Sequence, residues 1–172
     1  MRCPTLGFLA VAGAATCTAL PTNLTNFLLV TTSQADASVN ASDLKAVSAT
    51  SLFDPFNQPA LLLRLIGPGY NNLPNFTLSS GTLSTIAQAP FGGGAKLYNS
   101  TIVEAGKELQ FLAAQQPAGN LALDANYLLT VDGQREGWTI CDGALDNDVL
   151  SWKGTAKGCE ATYVHAVRNA PY

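Results

Sequence analysis

The chain has 172 residues, 9 Lys and Arg against 12 Asp and Glu, and a formal net charge of −3. A chain of this length is enough for one domain. With only 12% charged residues and no basic run, it lacks the electrostatic footprint of a nucleic-acid binder.

Residues 1–19 read as a processing signal. Arg2 gives a positive start, residues 6–15 are apolar and mostly small, and Cys17-Thr18-Ala19 offers small residues before a cut. The apolar run is too short to span a bilayer, and Pro21 stops any helix from continuing. The mature chain is expected to begin at Leu20, with residues 20–172 forming one secreted domain. Its final residues, 167–172, lack the hydrophobic tail of a lipid-anchor signal, and no second long apolar run follows the first. The expectation is therefore a product without a membrane anchor, released to the extracellular space or the cell wall.

Export changes the cysteine arithmetic. Cys3 and Cys17 leave with the signal, so Cys141 and Cys159 remain and are expected to form one disulfide. With one histidine and no other cysteine, a zinc site lacks ligands, and no metal or cofactor is expected. Export also exposes four N-glycosylation sequons, at Asn23, Asn40, Asn75 and Asn99. Asn75 and Asn99 fall at predicted turns and are the best acceptors; Asn23 is close to the new terminus, and Asn40 uses serine.

Residues 26–32 (Asn-Phe-Leu-Leu-Val-Thr-Thr) make the first expected strand. Residues 33–42 read as a surface loop, 43–50 as a turn of helix, and 52–59, with two prolines, as irregular coil. Residues 60–66 are a second strand, cut off from helix length by Pro59 and Gly67-Pro68-Gly69; Arg64 faces out or pairs with a carboxylate. A hairpin follows, 76–78 and 82–86 around Ser79-Ser80-Gly81, and then a flexible loop at 90–94. Segments 96–98 and 101–103 flank a tight turn at Asn99-Ser100, and 108–112 is another strand. Residues 121–123 and 127–131 form the next hairpin, and Asp132-Gly133 turns again. Strands at 138–141, 149–152 and 162–167 complete about ten short strands with glycine-rich punctuation. The fold class is all-β, a single-domain antiparallel sandwich or closed barrel. A β-trefoil-like barrel is one version of it, since strand-turn-strand units recur, but no clean repeat period is present.

Chemistry-bearing residues are few. His165, the only imidazole, shares a strand face with Tyr163 and Val167, and no Gly-x-Ser-x-Gly elbow exists. A lone strand histidine reads as structural or merely exposed, and no catalytic residue is assigned. Asp142, Asp146 and Asp148 crowd one loop; two acids at a suitable spacing would serve glycoside hydrolysis, and three would hold calcium. The loop does not match the twelve-residue calcium pattern, and the plainer reading is a solvated acidic turn. Trp138, Trp152 and Tyr163 would make a sugar-stacking platform if exposed. Against this, Trp138 alternates with Ile140 and Trp152 with Leu150, as core residues do.

The C-terminal stretch carries a resemblance. Gly137-Trp138-Thr139-Ile140, the short strand 149–154 ending in glycine, Cys159 and a last aromatic-containing strand resemble the end of small secreted fungal cell-wall proteins of the phialide-development (PhiA) type, whose relatives include IgE-binding antigens. The likeness covers about the last quarter of the chain. Cys141, directly after Trp138-Thr139-Ile140, departs from that pattern. The resemblance implies a fungal source, a wall or extracellular address and a structural or surface role, and it supplies no catalytic residue. The expected function is a secreted, N-glycosylated, non-enzymatic wall component or surface antigen whose partner is cell-wall polysaccharide. The rivals are a lectin-like carbohydrate-binding module on Trp138, Trp152 and Tyr163, and a secreted effector that binds a host protein.

Overall fold

The structure, a computed structural model, describes residues 23–35, 49–53, 60–66, 73–89, 93–143 and 146–169. The described residues form fourteen strands and no helix. These are β1 (Leu24–Thr32), β2 (Ala49–Phe53), β3 (Ala60–Ile66), β4 (Phe76–Ser79), β5 (Thr82–Gln88), β6 (Ala95–Ser100), β7 (Lys107–Glu108) and β8 (Gln110–Leu112). There follow β9 (Leu121–Leu123), β10 (Leu129–Val131), β11 (Trp138–Asp142), β12 (Asp148–Trp152), β13 (Glu160–Ala161) and β14 (Tyr163–Val167).

One antiparallel sheet follows the order β13-β11-β12-β3-β2-β1-β4-β5-β6-β8, and β8 also pairs with β3. That last pairing brings the sheet round on itself, so β3, β2, β1, β4, β5, β6 and β8 run as a ring. Closure of this kind removes the edges that would otherwise template aggregation. A long strand serves two neighbours in turn. β3 meets β8 through Ala60–Leu62 and then β12 through Arg64, and β1 meets β4 near Leu24 and Phe27 and then β14 through residues 28–32. β9 and β10 form a separate two-stranded sheet against β14, with Leu128 bridged to His165.

The register follows from period-two alternation. Leu61 and Leu63 of β3, Phe76 and Leu78 of β4, Leu83 of β5, Tyr98 of β6 and Phe111 of β8 all point inward and are buried. Phe27, Phe76 and Phe111 pack in a row with tilted rings, their centroids 6.3 and 6.0 Å apart. A bulge in β1 between Leu24 and Phe27, with Asn26 at φ 56°, sets Phe27 opposite Phe76. Leu121, Leu123, Leu129, Val131, Trp138, Leu150, Trp152 and Val164 join the same core cluster.

The turns obey backbone chemistry. Ser80-Gly81 between β4 and β5, and Asp132-Gly133 after β10, hold both central residues at positive φ, the type I′ geometry that matches strand twist. Gly81 also lies against the backbone of Gly119, closer than any side chain allows, and accepts the Leu121 N–H at 3.0 Å.

Several local expectations change. Ala49 and Thr50 belong to strand β2 and not to a helical turn, and Leu52 and Phe53 complete that strand where coil was expected; residues 36–48 and 54–59 lie outside the described residues. Asn99 and Ser100 are not a turn but the end of β6. Ser100 points inward, fully buried, and its Oγ accepts the Leu83 N–H at 3.0 Å, so the strand runs on between β5 and β8. The strand expected at 108–112 divides at Leu109, whose N–H donates to the Leu150 carbonyl. Its first part pairs with β12 and its second with β3 and β6. A short strand, β13, precedes the last one.

Candidate functional site

The residues singled out by sequence fall into three places. The first is the β11–β12 hairpin, where Trp138 and Trp152 are directly opposite. Trp138 is fully buried and Trp152 is 4% exposed. Their rings meet edge to face at 5.1 Å and 70°, an arrangement worth about 0.5–1.5 kcal/mol beyond area burial. Trp138 Nε1 donates to the Leu129 carbonyl at 2.8 Å, so its one polar atom is satisfied inside. Neither ring presents a face on which a sugar could stack. Tyr163 is half-buried on β14, opposite Thr32. Gly137 makes the ring packing feasible: at φ 129°, a Cβ there would stand 2.9 Å from the Trp152 ring.

Cys141 and Cys159 are bonded, 18 residues apart in sequence. Thr139 and Ile140 pair with Ala161 and Glu160, so the disulfide continues the same ladder by one cross-strand position. Gly154 lies against it; a Cβ there would come 2.6 Å from Cys141 Sγ. Asp142 and Asp148 face each other across β11 and β12 beyond the disulfide, and Asp146 turns between them at φ 55°. Among the described residues, no group of three His, Cys, Asp or Glu side chains is arranged to hold a metal ion.

The second place is the centre of β14. His165 is 4% exposed, pairs with Val30 across the ladder, and its Nδ1 has no hydrogen-bond partner. Burial lowers its pKa from 6.5, and the negative charge of Asp124 works in the opposite direction. Asp124 is itself engaged: Oδ1 accepts the N–H groups of Asn126 and Leu128, and Oδ2 stands 3.6 Å from Arg135 Nη1. The enclosed imidazole is thus part of the buried interior between β1 and Leu128.

The third place was not read from the sequence: the outer face of β4, β5 and β6. Ile86 and Leu97 are cross-strand partners and are 68% and 55% exposed. Around them stand Asn75, Thr77, Ser84, Gln88 and Asn99, with no charged residue on the outward positions of β4 and β5. Two open grooves flank this ridge and share Leu97. The larger, about 690 Å³, is lined by Thr25, Asn75, Thr77, Ser84, Ile86 and Gln88 among others. The smaller, about 550 Å³, lies toward Ser79, Thr82, Asn99, Ala114 and Gln116. The signal was present in residues 82–88. Leu83 and Thr85 share the inward phase, which leaves Ile86 out of phase with them.

The sequons have distinct settings. Asn23 is exposed just before β1, Asn75 is exposed just before β4, and Asn99 is half-buried within β6. Asn99 Nδ2 donates to the Ala114 carbonyl at 3.1 Å. Asn40 lies outside the described residues.

No protein-family model, no curated protein and no solved structure matches this chain.

Proposed function

We propose that this chain is a secreted, N-glycosylated, non-catalytic β protein that serves as a structural or surface component of a fungal cell wall. The observation that carries this reading is where the reactive side chains are spent. His165, Trp138 and Trp152, the residues best suited to catalysis or sugar stacking, are all built into the core. The Cys141–Cys159 disulfide supports an oxidising destination. The signal-like residues 1–19 and the exposed sequons at Asn23 and Asn75 agree with export. The fungal wall address rests on the resemblance carried by Gly137–Ile140, the strand at 149–154 and Cys159.

The test is to incubate the purified secreted protein with chitin, β-glucan, mannan and whole fungal walls, and to assay retained protein and released sugar. Retention on walls or on one polysaccharide, without sugar release, is the expected result. Release of reducing sugar that disappears in Asp146→Ala or Asp148→Ala would overturn the non-catalytic reading and make the acidic turn an active site.

A further inference from the structure

The outer face of β4, β5 and β6 combines two features that sequence alone keeps apart. One is an apolar pair in water, Ile86 against Leu97. The other is a sequon asparagine on each side of it. Phe76 pairs with Thr85 and Thr77 with Ser84, so Asn75 continues the ladder to the position opposite Ile86. Asn99 lies two residues along β6 from Leu97, on the same face by alternation. Asn75 lines the larger groove and Asn99 the smaller, and Leu97 lines both. The sequon hydroxyl residue Thr77 stands on this face as well.

We propose that N-linked glycans on Asn75 and Asn99 fold down over the Ile86–Leu97 ridge and cover this face. The inference rests on the secreted, glycosylated reading above. Sugar chemistry fits the surface. A pyranose ring offers an apolar C–H face to Ile86 and Leu97, and its hydroxyls meet uncharged partners, Thr77, Ser84 and Gln88 in one groove and Thr82 and Gln116 in the other. In the modification, Nδ2 forms a bond to C1 of the sugar, the C1–O bond to a lipid-linked diphosphate donor breaks, and the amide nitrogen gives up one proton. The second amide hydrogen remains. The Asn99 contact to the Ala114 carbonyl is therefore compatible with a glycan and would aim its first sugar along the smaller groove. Exposed apolar patches on secreted proteins otherwise invite association, so covering the ridge keeps the domain from pairing through it.

Glycopeptide mass spectrometry and binding of an apolar fluorescent dye test this on the whole secreted chain from a eukaryotic host. Thr77→Ala with Thr101→Ala removes both sequons and leaves both asparagines in place. The expected result is occupancy of Asn75 and Asn99 in the unsubstituted protein, and a several-fold rise in dye fluorescence in the double variant. Adding Ile86→Ser and Leu97→Ser to that variant returns the signal to the starting level. A secreted protein glycosylated only at Asn23 or Asn40 overturns the proposal and leaves the secretion reading standing; a chain that is neither exported nor glycosylated overturns both. Occupied sites with unchanged dye binding after their removal also overturn it, as does a glycosylated dimer that Leu97→Ser dissociates, because a second copy would then be the occupant.

Discussion

At the residue scale the informative positions are those where a side chain has no freedom. His165 is enclosed between β1 and the β9–β10 hairpin, with Nδ1 unpartnered. Burial depresses its folded pKa below 6.5, so over the interval between the folded and unfolded values the unfolded chain binds more protons than the native one. Its contribution is therefore fully present above about pH 6.5 and is lost as pH falls toward the folded value. For one proton the slope is at most about 1.4 kcal/mol per pH unit. Urea midpoints from pH 8 down to pH 5 should fall on acidification in the native sequence. In His165→Leu that segment should flatten, whatever the variant's absolute stability. An equal slope in both proteins would show that carboxylates carry the acid sensitivity. Gly137 is the second such position. Gly137→Ala brings both a strained φ of 129° and a Cβ 2.9 Å from the Trp152 ring, so a loss of about 1–3 kcal/mol by urea denaturation is expected. The same displacement should raise the accessibility of the indoles to acrylamide, which in the native protein is expected to be low because both rings are buried. Efficient quenching of the native protein would mean that the tryptophans face solvent and would reopen the stacking platform.

At the element scale, the β11–β12 hairpin and β13 depend on one another. The cross-strand disulfide closes a span of 18 residues that contains the acidic turn and Gly154, and β13 itself is only two residues long. A strand that short has little ladder of its own, so the covalent link holds its register. Replacing both cysteines by alanine should lower stability by about 3 kcal/mol in the chain-entropy picture, read as a fall in urea midpoint with a somewhat larger m, because the unfolded chain without its cross-link exposes more surface. A change below a few tenths of a kcal/mol would mean that Thr139, Ile140 and the Thr162-to-Trp138 backbone bond hold β13 unaided. The same region shows what was legible in the sequence. The β11 and β12 strands, the disulfide and the core role of the tryptophans follow from alternation and cysteine count. The extent of β6 did not, because Asn99-Ser100 is turn chemistry locally. The strand continues because Asn99 pairs with Ser84 of β5 and with Leu112 of β8, Ser100 pairs with Phe111, and Ser100 Oγ takes the Leu83 N–H. The break at Leu109 was hidden for the same reason: it marks a change of partner from β12 to β3 and β6, and local sequence does not encode partners. The Ile86–Leu97 ridge could have been found by phase counting on β5, but its neighbours on β4 and β6 needed the register.

At the scale of the whole molecule, the ring closed by β3 and β8 is joined on β1 by a strand from the far end of the described chain. Leu28 pairs with Val167, Val30 with His165 and Thr32 with Tyr163, and Thr162 Oγ1 donates to the Thr32 carbonyl at 3.1 Å. β14 also carries Val164 and Ala166 into the core and receives the β9–β10 hairpin through Leu128 and the bond from the Ala166 N–H to the Tyr127 carbonyl. Removing β14 thus strips one side of the second half of β1 and one side of the small sheet at once, leaving β1 there with only its β2 pairing through Val30 and Ala49. A chain ending at Thr162 is expected to lose its cooperative urea transition and its near-ultraviolet tryptophan signal, although Trp138 and Trp152 are both retained. Because this closure spans nearly the whole described chain, its loop entropy is lost before the pairing repays it. Refolding of the intact chain, followed by tryptophan fluorescence, should accordingly fall in the millisecond-to-second range typical of non-local β topologies. Microsecond refolding together with a sharp transition in the truncated chain would show that the ring forms from local hairpins, and that β14 docks afterwards on a scaffold already stable without it.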